Sequence, residues 1–349
     1  MDSVLTPVKF EETHLMVLDQ RLLPTQTVYR KRETLEQVFH SIRDMECRGA
    51  PLIGITAAYG MYLSVAPVAF SSGEALLAAL RQNAQYLNQA RPTAVNLSWA
   101  TARMVHTAFQ NREKAPEQIK HMLRQQAVEI NQEDVEICRN IGESLLPLLE
   151  KNMGLLTHCN AGALATYQYG TATSPMYLGQ QRGYGFHVFV DETRPYNQGA
   201  RLTAFELMHA GIDTTLICDN MAGMVLSQGR VGAVIVGCDR LAANGDAANK
   251  IGTLSLSILA KFFGVPFYIA APTPTIDLQT PTGAQIPIEE RSPQEITHFQ
   301  GVRVTPENVR VYNPAFDVTP AANITAIATE KGMVFPPFPE NLAALFEKE

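Results

Sequence analysis

Residues 154–166 read GLLTHCNAGALAT: an apolar run through Thr157, then His158, Cys159 and Asn160, then the small residues Ala161, Gly162 and Ala163. A short continuous apolar segment that ends on polar and small residues is the pattern of a strand leaving a parallel sheet buried on both faces. The small residues keep the space beyond that strand open, and a helix is expected to begin there. Five further runs share the apolar character: FHVFVD (186–191), TTLIC (214–218), GAVIVGCD (232–239), PFYIA (266–270) and VRVYN (309–313). Helical patterns lie between and after them, in QGARLTAFELMHAG (198–211), MAGMVLSQG (221–229), ANKIGTLSLSILAKFFG (248–264) and TPAANITAIATEKG (319–332). Apolar strands alternating with amphipathic helices imply an α/β fold with a Rossmann-like, doubly wound and mostly parallel sheet.

The first part of the chain has a different texture. VKF (8–10), HLMVLDQ (14–20) and TVYRKR (27–32) read as short β-strands, and TLEQVFHSIRDM (34–45) and SSGEALLAALRQNAQYL (71–87) as amphipathic helices, the second behind a serine cap. A charged and apolar stretch over 116–150 reads as a helical connection, with a break expected near Asn131. The expected organisation is a smaller N-terminal domain of strands and helices (1–125) and a Rossmann-like domain (126–349) that carries most of the active site, the boundary falling inside that connection.

Composition narrows the function. The 349 residues carry 28 Lys and Arg against 34 Asp and Glu, a net charge of −6, which disfavours a nucleic-acid surface. An anionic ligand must then be held by a local cationic pocket. No apolar run approaches the roughly 18 residues that span a bilayer, and the N-terminus lacks the pattern of a signal peptide. The five cysteines, 47, 138, 159, 218 and 238, are odd in number and scattered without CxxC spacing, which disfavours a disulfide framework or a zinc site and points to the reducing cytoplasm.

Ligands of doubly wound sheets bind beyond the carboxyl ends of the strands, and those ends here carry Cys159, Asp191, Asp219, Asp239 and Asn313. Cys159 at a strand-to-helix junction would face a helix dipole that favours thiolate, although a cysteine can equally fill space there. Asp239 follows the most apolar strand; desolvation could keep its carboxyl protonated, and the alternative is a helix cap or a pair with Arg240. Asn244-Gly245 and Asn249-Lys250 suggest a close backbone approach and an anion contact before the following helix. Arg48, with Gly49 and Ala50 before Pro51, would place a guanidinium beside helix-start amides, a phosphate clamp; Arg91 stands in similar guise, and Gln198 marks another helix start on the same sheet edge. Neither a P-loop nor GxGxxG is present, so a sugar phosphate fits better than a nucleotide. His158 adjoins Cys159, but neighbouring strand residues point to opposite faces, so a Cys–His dyad is not expected.

LDQRLLP (18–24), RGAPLIGI (48–55), RPTAVNL (91–97), THCNAGALAT (157–166), ETRPYNQGARLTAFEL (192–207), GCDRLAANGDAANKIGT (237–253), TPTGAQIPIEER (280–291) and NPAFDVTP (313–320) occur in this order. With them the chain resembles the methylthioribose-1-phosphate isomerases of methionine salvage, relatives of ribose-1,5-bisphosphate isomerases and of the alpha, beta and delta regulatory subunits of a translation initiation factor complex. The resemblance implies an aldose–ketose isomerase that needs no metal or organic cofactor and acts as a cytoplasmic homodimer. It implies Asp239 as proton donor, Cys159 as the group assisting at the reacting carbons, and Arg48, Gly49, Ala50, Arg91, Gln198, Asn249 and Lys250 as substrate contacts. Ser98, where the family pattern has a bulky apolar residue, leaves open which 5-substituent is accepted. 5-Deoxyribose 1-phosphate and ribose 1,5-bisphosphate are alternative substrates, and a non-catalytic regulatory subunit is the alternative outside enzymology.

Overall fold

Seven strands of one sheet organise the larger part of the molecule. The computed structural model describes residues 4–92, 94–299 and 301–347, which divide into two compact units. The first comprises Met1–Glu136 with Gly162–Gly170, the second Ile137–Ala161 with Thr171–Glu349. The units divide inside a single long helix, and the excursion Gly162–Gly170 joins the first although it lies in the Rossmann-like part of the sequence.

In the first unit, strands β1 (Val8–Glu11), β2 (His14–Leu18) and β3 (Tyr29–Arg32) form an antiparallel sheet in sequence order. Helix α1 (Leu35–Arg43) opens on a capping box in which Thr34 and Gln37 satisfy each other's backbone amides. Helices α2 (Ala50–Val65), α3 (Gly73–Asn88) and α4 (Val95–Gln110) follow; Ser72 caps α3 as its position before Leu76 suggested. Helix α2 is apolar on all sides and is accordingly enclosed, with Leu52, Ile53, Ile55, Ala57, Ala58 and Met61 buried against α1, α3 and α4. Helix α5 (Pro116–Leu145) runs without the break expected near Asn131, because the Asn131 side chain donates to the Tyr59 hydroxyl instead of competing for its own backbone.

In the second unit, β4 (Gly154–Thr157), β5 (His187–Asp191), β6 (Asp213–Ile217), β7 (Ala233–Val236), β10 (Phe267–Ala270), β15 (Ala326–Thr329) and β16 (Gly332–Val334) form the large sheet, in the order β16-β15-β10-β7-β4-β5-β6. All neighbours are parallel except β15 and β16. Helices α6 (Ser174–Gln181), α7 (Ala204–His209), α8 (Ala222–Ser227) and α9 (Thr253–Phe262) fill the connections. A second, four-stranded sheet is built from β8 (Arg240–Ala242), β9 (Ala247–Lys250), β11 (Ile276–Asp277) and β14 (Phe316–Thr319). The Asn244-Gly245 pair closes the β8–β9 hairpin with Gly245 at φ +89°, and a Cβ there would meet Phe338 at 2.7 Å. That glycine therefore serves the turn and its packing.

Two readings of the sequence are corrected. VRVYN (309–313) is not a strand, and the strand in that region is Ala326–Thr329, inside a segment read as helical. The fold class stands: an α/β molecule with a mostly parallel seven-stranded sheet, preceded by a smaller part with short antiparallel strands.

Candidate active site

Strand β4 delivers Cys159 to the carboxyl edge of the sheet, but no helix starts there; α6 begins at Ser174. The helix-dipole argument for the thiol is therefore replaced by a local one. Cys159 adopts a left-handed backbone, φ +68°, a conformation uncommon in non-glycine residues and costing on the order of 1–3 kcal/mol. Two threonines hold it there: the Cys159 N–H donates to Thr193 Oγ1 at 2.8 Å, and its carbonyl accepts from Thr203 Oγ1 at 2.6 Å. The Gln198 side-chain amide donates toward Cys159 Sγ at 3.4 Å, an interaction that strengthens when the sulfur carries negative charge.

Gln198 lies at the start of a wide helical turn, Gly199–Thr203, that leads into α7. Such single wide turns recur at functional sites. Gly199 is required by its neighbour: a Cβ there would stand 1.8 Å from the Asp191 carbonyl oxygen. The Gln198 side chain is buried, and its Oε1 has no hydrogen-bond partner among the described residues. An amide that gives its N–H to the thiol and keeps a buried acceptor open is suited to a hydroxyl ligand. Asn160 Nδ2 donates to Thr203 Oγ1 and to the fully buried Glu206, fixing the floor beneath the cysteine.

Asp239 follows β7, and its N–H donates to the Ala248 carbonyl of β9. Its side chain is exposed, and Arg240 turns to Asp277 instead of pairing with it. Asn249 is buried and donates to Thr253 Oγ1, and Lys250 lies with Nζ 4.7 Å from the Phe316 ring centre. Both sit on β9, ahead of α9, and not on its first turn.

In the first unit Gly49 caps α2 with φ +96°, followed by Ala50 and Pro51. A Cβ on Gly49 would come within 2.3 Å of the Ala165 carbonyl oxygen, which also accepts the Leu52 N–H. Burial pushes the neighbouring Cys47 thiol up to about 12, with the Arg91 charge close enough to oppose it. The unit thus brings Arg91 near the segment carrying Arg48, Gly49 and Ala50.

Sequence reasoning missed Thr193, Thr203 and the pair formed by His158 and Asp191. His158 turns to Asp191, with Nδ1 2.9 Å from Oδ2. Burial pushes Asp191 up to about 6 and His158 opposes that rise. The only advance signal was the location of Asp191 at a strand exit.

A strained cysteine, a buried amide with an open acceptor and an aspartate thus lie together on the carboxyl edge of a doubly wound domain. The chain belongs to the Initiation factor 2 subunit family, whose pattern it matches over residues 46–336. It is 56% identical over 346 residues to a 5-deoxyribose 1-phosphate isomerase of Clostridium botulinum, covering 99% of each chain. It is 55% identical over 347 residues to the protein of that name from Bacillus thuringiensis serovar kurstaki, covering 99% of this chain and 100% of the other. The structure is similar to that of 5-methylthioribose 1-phosphate isomerase from Pyrococcus horikoshii OT3, with a TM-score of 0.96, 42% identity and coverage of 99% and 96%. It is also similar to the eIF-2B subunit delta from A. fulgidus, with a TM-score of 0.93, 38% identity and coverage of 98% and 99%.

Proposed function

We propose that this chain isomerises a 5-modified ribose 1-phosphate to the corresponding ribulose 1-phosphate. The observation that carries the reading is the strained Cys159 with the Gln198 amide on its sulfur and the Gln198 acceptor left open. A pure binding module has no need to hold a thiol in that way. The names of the relatives support the same reaction class.

The chemistry follows from the substrate. Its anomeric oxygen carries the phosphate, so the ring cannot open freely to an aldehyde. Opening breaks the bond between C1 and the ring oxygen, and the ring oxygen must gain a proton; Asp239 is the donor in this reading. Hydrogen then moves from C2 to C1 while the C2 hydroxyl loses its proton and becomes the ketone. In a proton route Cys159 removes the C2 hydrogen as a base, and in a hydride route its charge stabilises the electron-poor carbon. Arg48, Gly49, Ala50 and Arg91 would hold the phosphate, and Gln198, Asn249 and Lys250 the sugar hydroxyls.

For the substituent at C5, 5-deoxyribose 1-phosphate is the first substrate in this reading, because relatives at 55–56% identity over essentially the whole chain carry that name. 5-Methylthioribose 1-phosphate, implied by the motifs, is the second, supported by the 42% identical structure. Turnover of both, with the ketose followed by NMR in deuterated water, tests the proposal. Ketose formation that is lost in Cys159→Ser supports it, and solvent deuterium at C1 selects the proton route. Absence of turnover on either sugar and on ribose 1,5-bisphosphate favours a regulatory subunit.

The remaining expectations belong to the same reading: a homodimer working in the reducing cytoplasm, with no nucleic-acid or membrane partner. No disulfide forms among the five cysteines, and among the described residues no helix is long and apolar enough to cross a membrane. Exposed large apolar side chains on α7, β6, α8 and α9 support the dimer.

A further inference from the structure

His158 is 1% exposed, yet each of its ring nitrogens faces an oxygen at 2.9 Å: Nδ1 the Asp191 Oδ2, Nε2 the Ile251 carbonyl. A backbone carbonyl can only accept, so Nε2 carries hydrogen. One further proton then lies between Nδ1 and Asp191. Three carboxylates surround the ring: Asp191 at the end of β5, Asp219 beyond β6, and Asp317 on β14. Burial alone would lower the His158 pKa, but the hydrogen bond and charge of Asp191, with the charge of Asp219, turn the net shift upward. The hydrogen bond between Nδ1 and Asp191 and the negative charges around the ring favour the protonated imidazole.

His158, Asp191 and Asp219 could each offer one atom to a metal ion, these atoms lying within 4.8 Å of one another. As the cluster stands, Nε2 donates to the Ile251 carbonyl, Nδ1 shares a proton with Asp191 Oδ2, and Asp191 Oδ1 is buried with no hydrogen-bond partner among the described residues. Both Asp219 oxygens already accept backbone N–H groups, from Thr193 and Arg194.

The position of the cation gives it a task. His158 precedes Cys159 directly, and its Nε2 grips the residue after Asn249 and Lys250. Gly252, at φ +104°, lies against the ring so closely that a Cβ would stand 2.8 Å from His158 Cε1. The Gly252 and Leu254 N–H groups are held in turn by Asp317. We propose that His158 is a positioning residue, protonated on both ring nitrogens, that fixes the Asn249–Lys250 strand end relative to the Cys159 turn. The positioning role rests on the isomerase reading, whereas the charge does not.

The charge is tested on the full-length chain with ring-15N histidine. The His158 signals are assigned by their loss in His158→Gln or, should that variant not fold, by their perturbation in Asp191→Asn. The expected result is two protonated ring nitrogens at neutral pH; an unprotonated nitrogen at neutral pH overturns the assignment. The role is tested by kinetics. His158→Gln keeps a donor at the reach of Nε2, and His158→Asn does not. Misplacement on the scale of 1 Å can cost about a hundredfold in rate, so Asn is expected to lose at least tenfold in kcat/KM and Gln to recover part of it. A folded His158→Asn enzyme within twofold of wild type in both kcat and KM refutes positioning. An inactive wild type refutes the isomerase reading instead and leaves the charge to the NMR result.

Discussion

The amide nitrogen of Gln198 stands 3.4 Å from the Cys159 sulfur, and the carbonyl oxygen of the same side chain is buried with no donor beside it among the described residues. In the proposed reading Gln198 binds a substrate hydroxyl with that oxygen and tunes the thiol with its amide. Gln198→Leu keeps the bulk and removes both functions. It should lower kcat/KM by roughly 10–100-fold, in line with a charge-assisted hydrogen bond of about 1.5–3 kcal/mol, and slow alkylation at Cys159, read by peptide mass spectrometry. Wild-type values for both would show that the contact is packing alone.

Cys159→Ser and Asp239→Asn should each reduce kcat by about 10²–10⁴-fold, the range for losing an acid–base group, while the thermal midpoint stays near wild type. Asp239 is exposed, so its amide costs little in stability. Full activity of Asp239→Asn would remove it from the role of proton donor.

Gly49→Ala tests the phosphate end through stability. Gly49 combines φ +96° with a Cβ position 2.3 Å from the Ala165 carbonyl oxygen. Strain and overpacking together should cost about 2–4 kcal/mol in denaturant unfolding. Gly183→Ala is the control: φ is +68°, but nothing lies within 4 Å of the added carbon, so about 1–2 kcal/mol is expected. Equal losses at the two positions would mean that the contact with Ala165 carries no weight.

The strands of the large sheet were legible because both their faces are buried, which leaves apolar runs such as Ala233–Val236 with no polar position to confuse them. Ala326–Thr329 was read as helix because alanine-rich segments favour helix locally, and only the pairing with β10 overrides that preference. The positions of Cys159 and Asp239 at strand ends could be anticipated from topology, whereas Asn249 and Lys250, read as leading into a helix, lie on strand β9. The left-handed turn at Cys159 could not, since it depends on Thr193 and Thr203, 34 and 44 residues away. The His158–Asp191 pair spans 33 residues and has no local signature either.

Burial pushes the Asp134 carboxyl up from the usual carboxylate range to about 7, with the Tyr167 N–H that it accepts opposing the rise. The folded chain then binds a proton that the unfolded chain has released, so this group lowers stability as pH rises from about 4 to 7. Asp134→Asn keeps an oxygen for Tyr167 and abolishes the titration. It should unfold at higher denaturant than wild type at pH 8, with the gap closing below about pH 4. A gap independent of pH would place Asp134 in solvent-like surroundings.

Met208 on α7, Leu216 on β6, Met224 on α8 and Phe262 on α9 are 66%, 49%, 62% and 79% exposed. Large apolar side chains at this exposure are candidates for an association surface. The edge strand β6 has no neighbour beyond it among the described residues, which leaves its outer backbone groups for water or a second chain. The wild type should therefore sediment as a dimer, and Met224→Glu or Phe262→Glu should shift it to monomer, because a carboxylate in an apolar interface has no partner to repay its desolvation. Retention of the dimer in both variants would move the interface to another face, and a wild-type monomer would remove the dimer from the reading altogether.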